Sequence, residues 1–232
     1  MSITDIIRRL SPVSLTEEQL GLMSGVYEKL EQKNRVMNLT AITTPEEAAE
    51  LHFADSLYAL TEPRVKGDIL DVGSGGGFPA FPVAIASGCF VTCLDSTAKK
   101  LAFIKETARE LGIDNIDILC GRAEELSRLE AHREKYDAVL ARGVARLNVL
   151  CEWCLPYVRP DGVFVALKGV SGREEAAEAA NAIKTLGGRL AYINEYTLPA
   201  SGHTHTLVVI EKVARTPKTY PRRNSLISKK PL

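Results

Sequence analysis

A chain of 232 residues, 45% of them hydrophobic, is long enough to bury a substantial core without disulfide or metal staples. Its 29 basic and 29 acidic residues give a formal net charge of zero, even in total but uneven in position. No apolar run reaches the roughly 18 residues of a membrane span and the N-terminus carries no signal-peptide apolar region, so a cytoplasmic protein of one main domain is expected.

The first signals along the chain are helical. Thr16-Glu17-Glu18-Gln19 and Thr44-Pro45-Glu46-Glu47 both fit capping boxes, the second with proline at the first helical position. They predict helices over 16–34 and 45–60, with Asn38-Leu39-Thr40 as a polar turn between them, and so a helical extension over 1–62. A β/α part begins near Asp68, with strands expected at 68–72, 90–95, 116–120, 136–141, 162–168, 189–197 and 205–211. Helices fill the intervals at 78–87, 98–111, 147–157 and 172–186, the last stopped by Gly187-Gly188. Pro199-Ala200-Ser201-Gly202 is too short for a crossover helix, so the last two strands should form an antiparallel hairpin. The expectation is an α/β, Rossmann-like core over 63–213, with a seven-stranded, mostly parallel sheet whose last strand is reversed at the edge, followed by a tail over 214–232.

Chemistry concentrates at the predicted strand ends. Asp71-Val72-Gly73-Ser74-Gly75-Gly76-Gly77-Phe78-Pro79 follows Ile69-Leu70 directly. Clustered glycines let the backbone turn sharply and approach a ligand that no side chain shields, so the run reads as a nucleotide-type cofactor loop. A dinucleotide fingerprint wants G-x-G-x-x-G. Here the spacing is Gly73-x-Gly75-x-Gly77, the form seen in enzymes that use S-adenosylmethionine (SAM), with Asp71 near the cofactor's amino group and Ser74 inside the loop. The second strand ends at Asp95-Ser96, where an acid can accept hydrogen bonds from a ribose diol; NAD and SAM both carry one. The third runs into Cys120-Gly121-Arg122-Ala123-Glu124, where Ala123 and Glu124 are the natural pair to close over an adenine edge.

The five cysteines, at 89, 93, 120, 151 and 154, are odd in number and mostly in apolar stretches, which argues for reduced, buried thiols. Cys151-Glu152-Trp153-Cys154 has no second pair and reads as packed helix thiols rather than a metal or redox pair. His52, His132, His203 and His205 share no ligand spacing, so no metal is expected. Residues 212–232 hold Lys212, Arg215, Lys218, Arg222, Arg223, Lys229 and Lys230 without a single acid, which leaves the preceding chain at minus seven. That split suggests a basic arm on an acidic body, with Tyr220 placed to stack on an unpaired base. A solvated terminus, or a segment whose Tyr220 and prolines pack back on the sheet, are the other readings.

Taken in order, Asn38-Leu39-Thr40-Ala41-Ile42, His52-Phe53-Ala54-Asp55-Ser56, the Asp71–Pro79 loop, Leu94-Asp95-Ser96, Arg122-Ala123-Glu124, Ala141-Arg142-Gly143-Val144-Ala145-Arg146-Leu147, Ala166-Leu167-Lys168-Gly169 and Thr216-Pro217-Lys218-Thr219-Tyr220-Pro221-Arg222 resemble the bacterial small-subunit rRNA guanine-N7 methyltransferases, historically called glucose-inhibited division protein B. Gly143 stands where relatives often have alanine. The resemblance implies transfer of a methyl group from SAM to nitrogen 7 of a guanosine in the 530 loop of 16S rRNA, within the 30S subunit. Nitrogen 7 has an in-plane lone pair and no proton to lose, so no general base is required. By matching position, Gly73, Phe78, Ala123, Glu124 and Arg142 contact the cofactor, with Asp71 and Asp95 at its methionine and ribose ends. Arg142 and Arg146 flank the place where the base must enter and are the positioning candidates, holding the SAM carboxylate, an RNA phosphate or both. Asn38, His52, Asp55 and Lys168 are candidates for lining the mouth, and Lys218, Tyr220, Arg222 and Arg223 for touching rRNA. Nothing in the chain calls for an oligomer.

Two other classes share parts of this pattern. An NAD-dependent oxidoreductase would have the same strand, glycine and acid layout, but the third-glycine spacing and hydride-transfer residues are missing. A non-catalytic SAM-binding RNA-interaction protein would keep the pocket without the chemistry.

Overall fold

The computed structural model describes residues 1–37 and 39–232. Helix α1 (Ile3–Leu10) opens the chain, and the sequence reading missed it. Its capping box uses Asp5 in place of the usual Glu or Gln, with the Ser2 hydroxyl accepting from the Asp5 N–H at 3.2 Å. Helix α2 (Glu17–Met37) has the expected reciprocal cap between Thr16 and Gln19. The stretch expected as a single helix over 45–60 is helical throughout but changes pitch. It runs as α3 (Pro45–Glu47), a π-helical segment (Ala48–Ala54), α4 (Asp55–Leu57) and a 3-10 turn (Tyr58–Thr61). π-helical segments recur at functional sites, and this one carries Leu51 and His52 into a cavity wall.

The alternating part then proceeds as β1 (Asp68–Val72), α5 (Ala80–Ser87), β2 (Phe90–Asp95), α6 (Ala98–Leu111), β3 (Ile116–Cys120), a short α7 (Ala123–Leu126), β4 (Tyr136–Arg142), α8 (Leu147–Cys154) and β5 (Val158–Lys168). Helices α9 (Gly172–Glu178) and α10 (Ala180–Thr185), β6 (Gly188–Thr197), β7 (Thr204–Lys212) and α11 (Asn224–Lys229) complete it. The helix expected over 172–186 is divided at Ala179, which nothing in the local sequence explains. The sheet order is β3-β2-β1-β4-β5-β7-β6, parallel from β3 to β5, with β7 antiparallel to both its neighbours. This corrects one expectation: the reversed strand lies inside the sheet, and β6 forms the edge. The hairpin signal fixes only that β6 and β7 pair; β7 moves inward because its Leu207 to Ile210 run is fully buried and pairs with β5 as well.

Both sheet faces are covered, so the central strands are apolar on both sides. Ile69, Leu140, Val163 and Val165 point into a core shared with α1, α2, α5 and α6, while Leu70, Val139, Phe164 and Ala166 point toward α8 and α10. The order reverses between β1 and β4, where a crevice opens at the carboxyl ends of the strands. Among the described residues no helix is long and apolar enough to cross a membrane. Cys93, Cys151 and Cys154 are buried free thiols, while Cys120 is exposed.

Candidate active site

The glycine loop is sewn to the neighbouring strand. The N–H groups of Gly73 and Ser74 donate to the Leu94 carbonyl at 2.7 and 3.1 Å, and the Gly75 N–H donates to Asp95 Oδ2 at 3.1 Å. Gly73 sits at φ +78°, and a Cβ there would stand 2.7 Å from Val144 Cγ2, so a side chain is excluded by both backbone and space. Asp95, 8% exposed, also accepts from the Thr97 N–H at 2.8 Å, which aims its carboxylate across the end of β2.

Two adjoining cavities, about 510 and 310 Å³, open at the strand ends and share Gly73, Lys100 and Gly143. The smaller is lined by Leu94, Asp95, Ser96, Ala123, Glu124 and Trp153, among others. Two carboxylates at successive strand ends beside an apolar wall suit an adenosine, with diol hydroxyls donating to Asp95. The larger is lined by Gly73 to Gly76, Phe78, His52, Asp55, Arg142, Lys168 and His205, among others.

Arg142 is the best-fixed cation in that larger cavity. Its Nη1 donates to Asp55 Oδ2 at 2.9 Å and to the Leu51 carbonyl, and its guanidinium lies 5.9 Å from the Phe78 ring centre. Asp55 Oδ1 accepts from Tyr196 Oη at 2.8 Å and from His205 Nδ1 at 2.7 Å. Burial opposes ionisation of Asp55, yet the His205 hydrogen bond, the Arg142 charge and the Tyr196 hydroxyl together hold its carboxyl below the usual range. His52 stacks on Phe78 with ring centres 4.5 Å apart, and its Nε2 meets the Thr40 hydroxyl at 2.9 Å. Burial, helped by the Arg142 charge, pulls its pKa down to about 3, so it is a neutral wall. Lys168 bonds to Glu175 at 2.7 Å and to the Ala145 carbonyl at 2.8 Å, tying the end of β5 to α9 and to the loop after β4.

Several sequence-predicted residues are placed elsewhere. Asp71 is fully buried beneath the loop and lines neither cavity; among the described residues no partner bonds its carboxylate oxygens, and burial pushes its pKa up to about 7. Gly77 also lies outside both linings. Arg146, expected to flank the entry of the base, lines neither cavity; it is exposed and bonded to Glu178 at 2.5 Å. Asn38 lies outside the described residues.

The tail corrects the expectation of a free basic arm. Arg222 meets the fully buried Glu152 through Nε at 2.9 Å and Nη2 at 2.7 Å, so it is not free to hold a phosphate. Tyr220 packs on the core beside α8 instead of standing free to stack on a base. Arg133 clamps the segment by donating to the carbonyls of Thr216 and Tyr220 at 2.9 and 3.1 Å. Lys212 is buried against the Leu155 carbonyl and Thr216. Lys218 and Arg223 remain exposed.

Sequence reasoning passed over Lys100, Tyr196, His205, Trp153 and Thr40. Only Lys100 had a local signal, since it stands on the first turn of the helix that follows Asp95. The others are brought in by long-range packing.

A seven-stranded sheet with β7 reversed between β5 and β6, a glycine loop after β1 and an acid at the end of β2 define a class I SAM-dependent methyltransferase. The O-methyltransferase from Bacillus cereus, solved in complex with S-adenosylhomocysteine (SAH), has this fold, with a TM-score of 0.61 at 18% identity over 91% of this chain and 98% of its own. Residues 19–202 match the family model GidB, described as rRNA small subunit methyltransferase G. The "Ribosomal RNA small subunit methyltransferase G" proteins of Alkaliphilus metalliredigens and Lactobacillus johnsonii are 46% and 41% identical, each over 94% of this chain and over 92% and 93% of their own lengths. The chain belongs to this family, and with it is a SAM-dependent enzyme that methylates small-subunit rRNA.

Proposed function

We propose that this protein methylates nitrogen 7 of a guanosine in the 530 loop of 16S rRNA, acting as a monomer on the 30S subunit in the cytoplasm. The observation that carries the reading is the junction of the two cavities. An acid-lined adenosine cavity, with Asp95 and Glu124, opens at Gly73 and Gly143 into a larger cavity walled by Phe78, His52 and Arg142. A cofactor spanning that junction suits the absence of any side chain at Gly73.

When bound, SAM supplies an electrophilic methyl group on a sulfonium. The chain's own residues have to hold the cofactor, seat the base and keep water out. Gly73, Ser74, Gly75, Phe78, Asp95, Ser96, Ala123 and Glu124 are assigned to the cofactor. Arg142, fixed by Asp55 and the Leu51 carbonyl, stands ready for the SAM carboxylate or an RNA phosphate with its remaining donors. Neutral His52 and Phe78 give the base a flat wall. Guanine nitrogen 7 already presents its lone pair, so a positioned base is not required, and the neutrality of His52 is consistent with a positioning mechanism. Arg146, Lys218 and Arg223 are assigned to the RNA backbone. Lys168 is assigned to shaping the mouth through Glu175.

The test is transfer of a tritiated methyl group from SAM to 30S subunits that lack the modification, followed by mapping of the labelled nucleotide. Label on a guanosine N7 of the 530 loop is expected. Label on another atom or another region, or none, would overturn the assignment.

A further inference from the structure

The larger cavity is lined by four basic side chains besides neutral His52: Lys100, Arg142, Lys168 and His205. Three of them already face a carboxylate. Arg142 and His205 share Asp55, and Lys168 is bonded to Glu175. Lys100, half-buried on the first turn of α6, has no carboxylate at ion-pair distance and no hydrogen-bond acceptor for its ammonium among the described residues. It is also one of the three residues that line both cavities, the other two being glycines.

We propose that Lys100 is an oxyanion subsite at the junction of the two cavities, binding either the carboxylate at the methionine end of the cofactor or the phosphate of the target nucleotide. This rests on the SAM and rRNA reading above. The half-buried Lys100 stem holds the ammonium at the cavity junction, and among the described residues no anion pairs with it, so its full charge is available to a ligand oxyanion. Arg142 and Lys168 offer less, since each is already neutralised by a carboxylate at 2.9 and 2.7 Å. Asp95 is not an internal partner, since it makes no ion pair with Lys100; its oxygens accept from the Gly75 and Thr97 N–H groups and keep lone pairs for a ribose diol. A lysine is a compact point charge on a flexible stem, which suits either oxyanion without bidentate geometry.

The experiment compares the wild-type protein with Lys100→Met and Lys100→Arg. Calorimetry measures binding of SAH and of 5′-methylthioadenosine, which keeps the adenosine end but has no carboxylate. Binding to 30S subunits is titrated against salt. If the carboxylate is the ligand, Lys100→Met weakens SAH about tenfold or more while 5′-methylthioadenosine stays within about twofold. If the phosphate is the ligand, SAH affinity holds, 30S affinity falls by a similar factor, and the log–log salt slope drops by about 0.7. Either result supports the subsite, with Lys100→Arg retaining most of the wild-type binding. Equal weakening of SAH and 5′-methylthioadenosine would make Lys100 a packing residue and overturn the proposal. So would unchanged binding throughout, or an arginine variant no better than the methionine one. Wild-type binding of SAH is the control for the cofactor reading, so its failure is separable from a failure at Lys100.

Discussion

Arg222→Met tests whether the tail is part of the folded body. Glu152 has no exposed side-chain surface, and its carboxylate accepts from the Arg222 backbone N–H at 2.6 Å and side chain at 2.7 to 3.1 Å. Truncating the arginine leaves a buried charge with one backbone donor. Breaking a buried pair from one side costs about 3–5 kcal/mol. Arg222 keeps 18% of its side-chain surface, which screens the pair somewhat and lowers the expected loss to about 2–4 kcal/mol. For a chain of this length each kcal/mol moves Tm by about 2–4 °C, so a fall of about 4–16 °C is expected in thermal denaturation followed by circular dichroism. Glu152→Leu combined with Arg222→Met should recover more than half of it, because the orphaned charge is then gone. If Arg222 were instead a phosphate ligand, Tm would stay within about a degree and the salt slope of 30S binding would fall by about 0.7. That pair of results would refute the reasoning.

Three further outcomes follow from the cofactor loop. Asp71 has a folded-state pKa raised to about 7 by burial, so the folded protein binds its proton more tightly than the unfolded chain does. Its contribution to stability therefore declines as pH rises from about 4 to about 7 and then levels off. Asp71→Asn should raise Tm at pH 8 more than at pH 5, and an equal shift at both would count against the buried, unpaired carboxylate. Gly73→Ala forces an L side chain to φ +78° against Val144, and should cost about 1–3 kcal/mol of stability together with a loss of SAH affinity. Wild-type Tm and SAH affinity in that variant would show that the loop can relax. Asp95→Ala should weaken SAH by about 1.5–3 kcal/mol in calorimetry, the scale of hydrogen bonds to a charged group; unchanged affinity would remove Asp95 from the ribose.

What the sequence made legible follows the range of the interaction concerned. β1, β2 and β3 match their expected bounds residue for residue, because a short apolar run closed by glycine or an acid is a local signal. The caps at Thr16 and Thr44 are local for the same reason. The place of β7 is not local: a six-residue link fixes its pairing with β6, but its pairing with β5 depends on residues about 40 positions upstream. The candidate site divides in the same way. Gly73, Asp95, Ala123 and Glu124 stand at strand ends, whereas His205 and Tyr196 reach Asp55 from the hairpin across 150 and 141 residues of chain.

The tail shows how a correct charge count can still mislead about charge available to a partner. Of its seven cations, Lys212 is buried and Arg222 is committed to Glu152. Arg215 faces Glu134 at 4.0 Å, leaving Lys218, Arg223, Lys229 and Lys230 as exposed charges without a carboxylate partner among the described residues. Four phosphate contacts on single-stranded RNA correspond to a tail contribution of about 3 to the log–log salt slope, against about 5 for a fully free arm. Glu152 was hidden from the sequence reading because it stands within the apolar helical run and looks there like an ordinary solvated helix position. The same helix carries Trp153 into the wall of the smaller cavity. The segment that docks on Glu152 therefore buttresses the helix behind the wall of the smaller cavity, and its four remaining cations are held on a fixed surface rather than on a flexible strand.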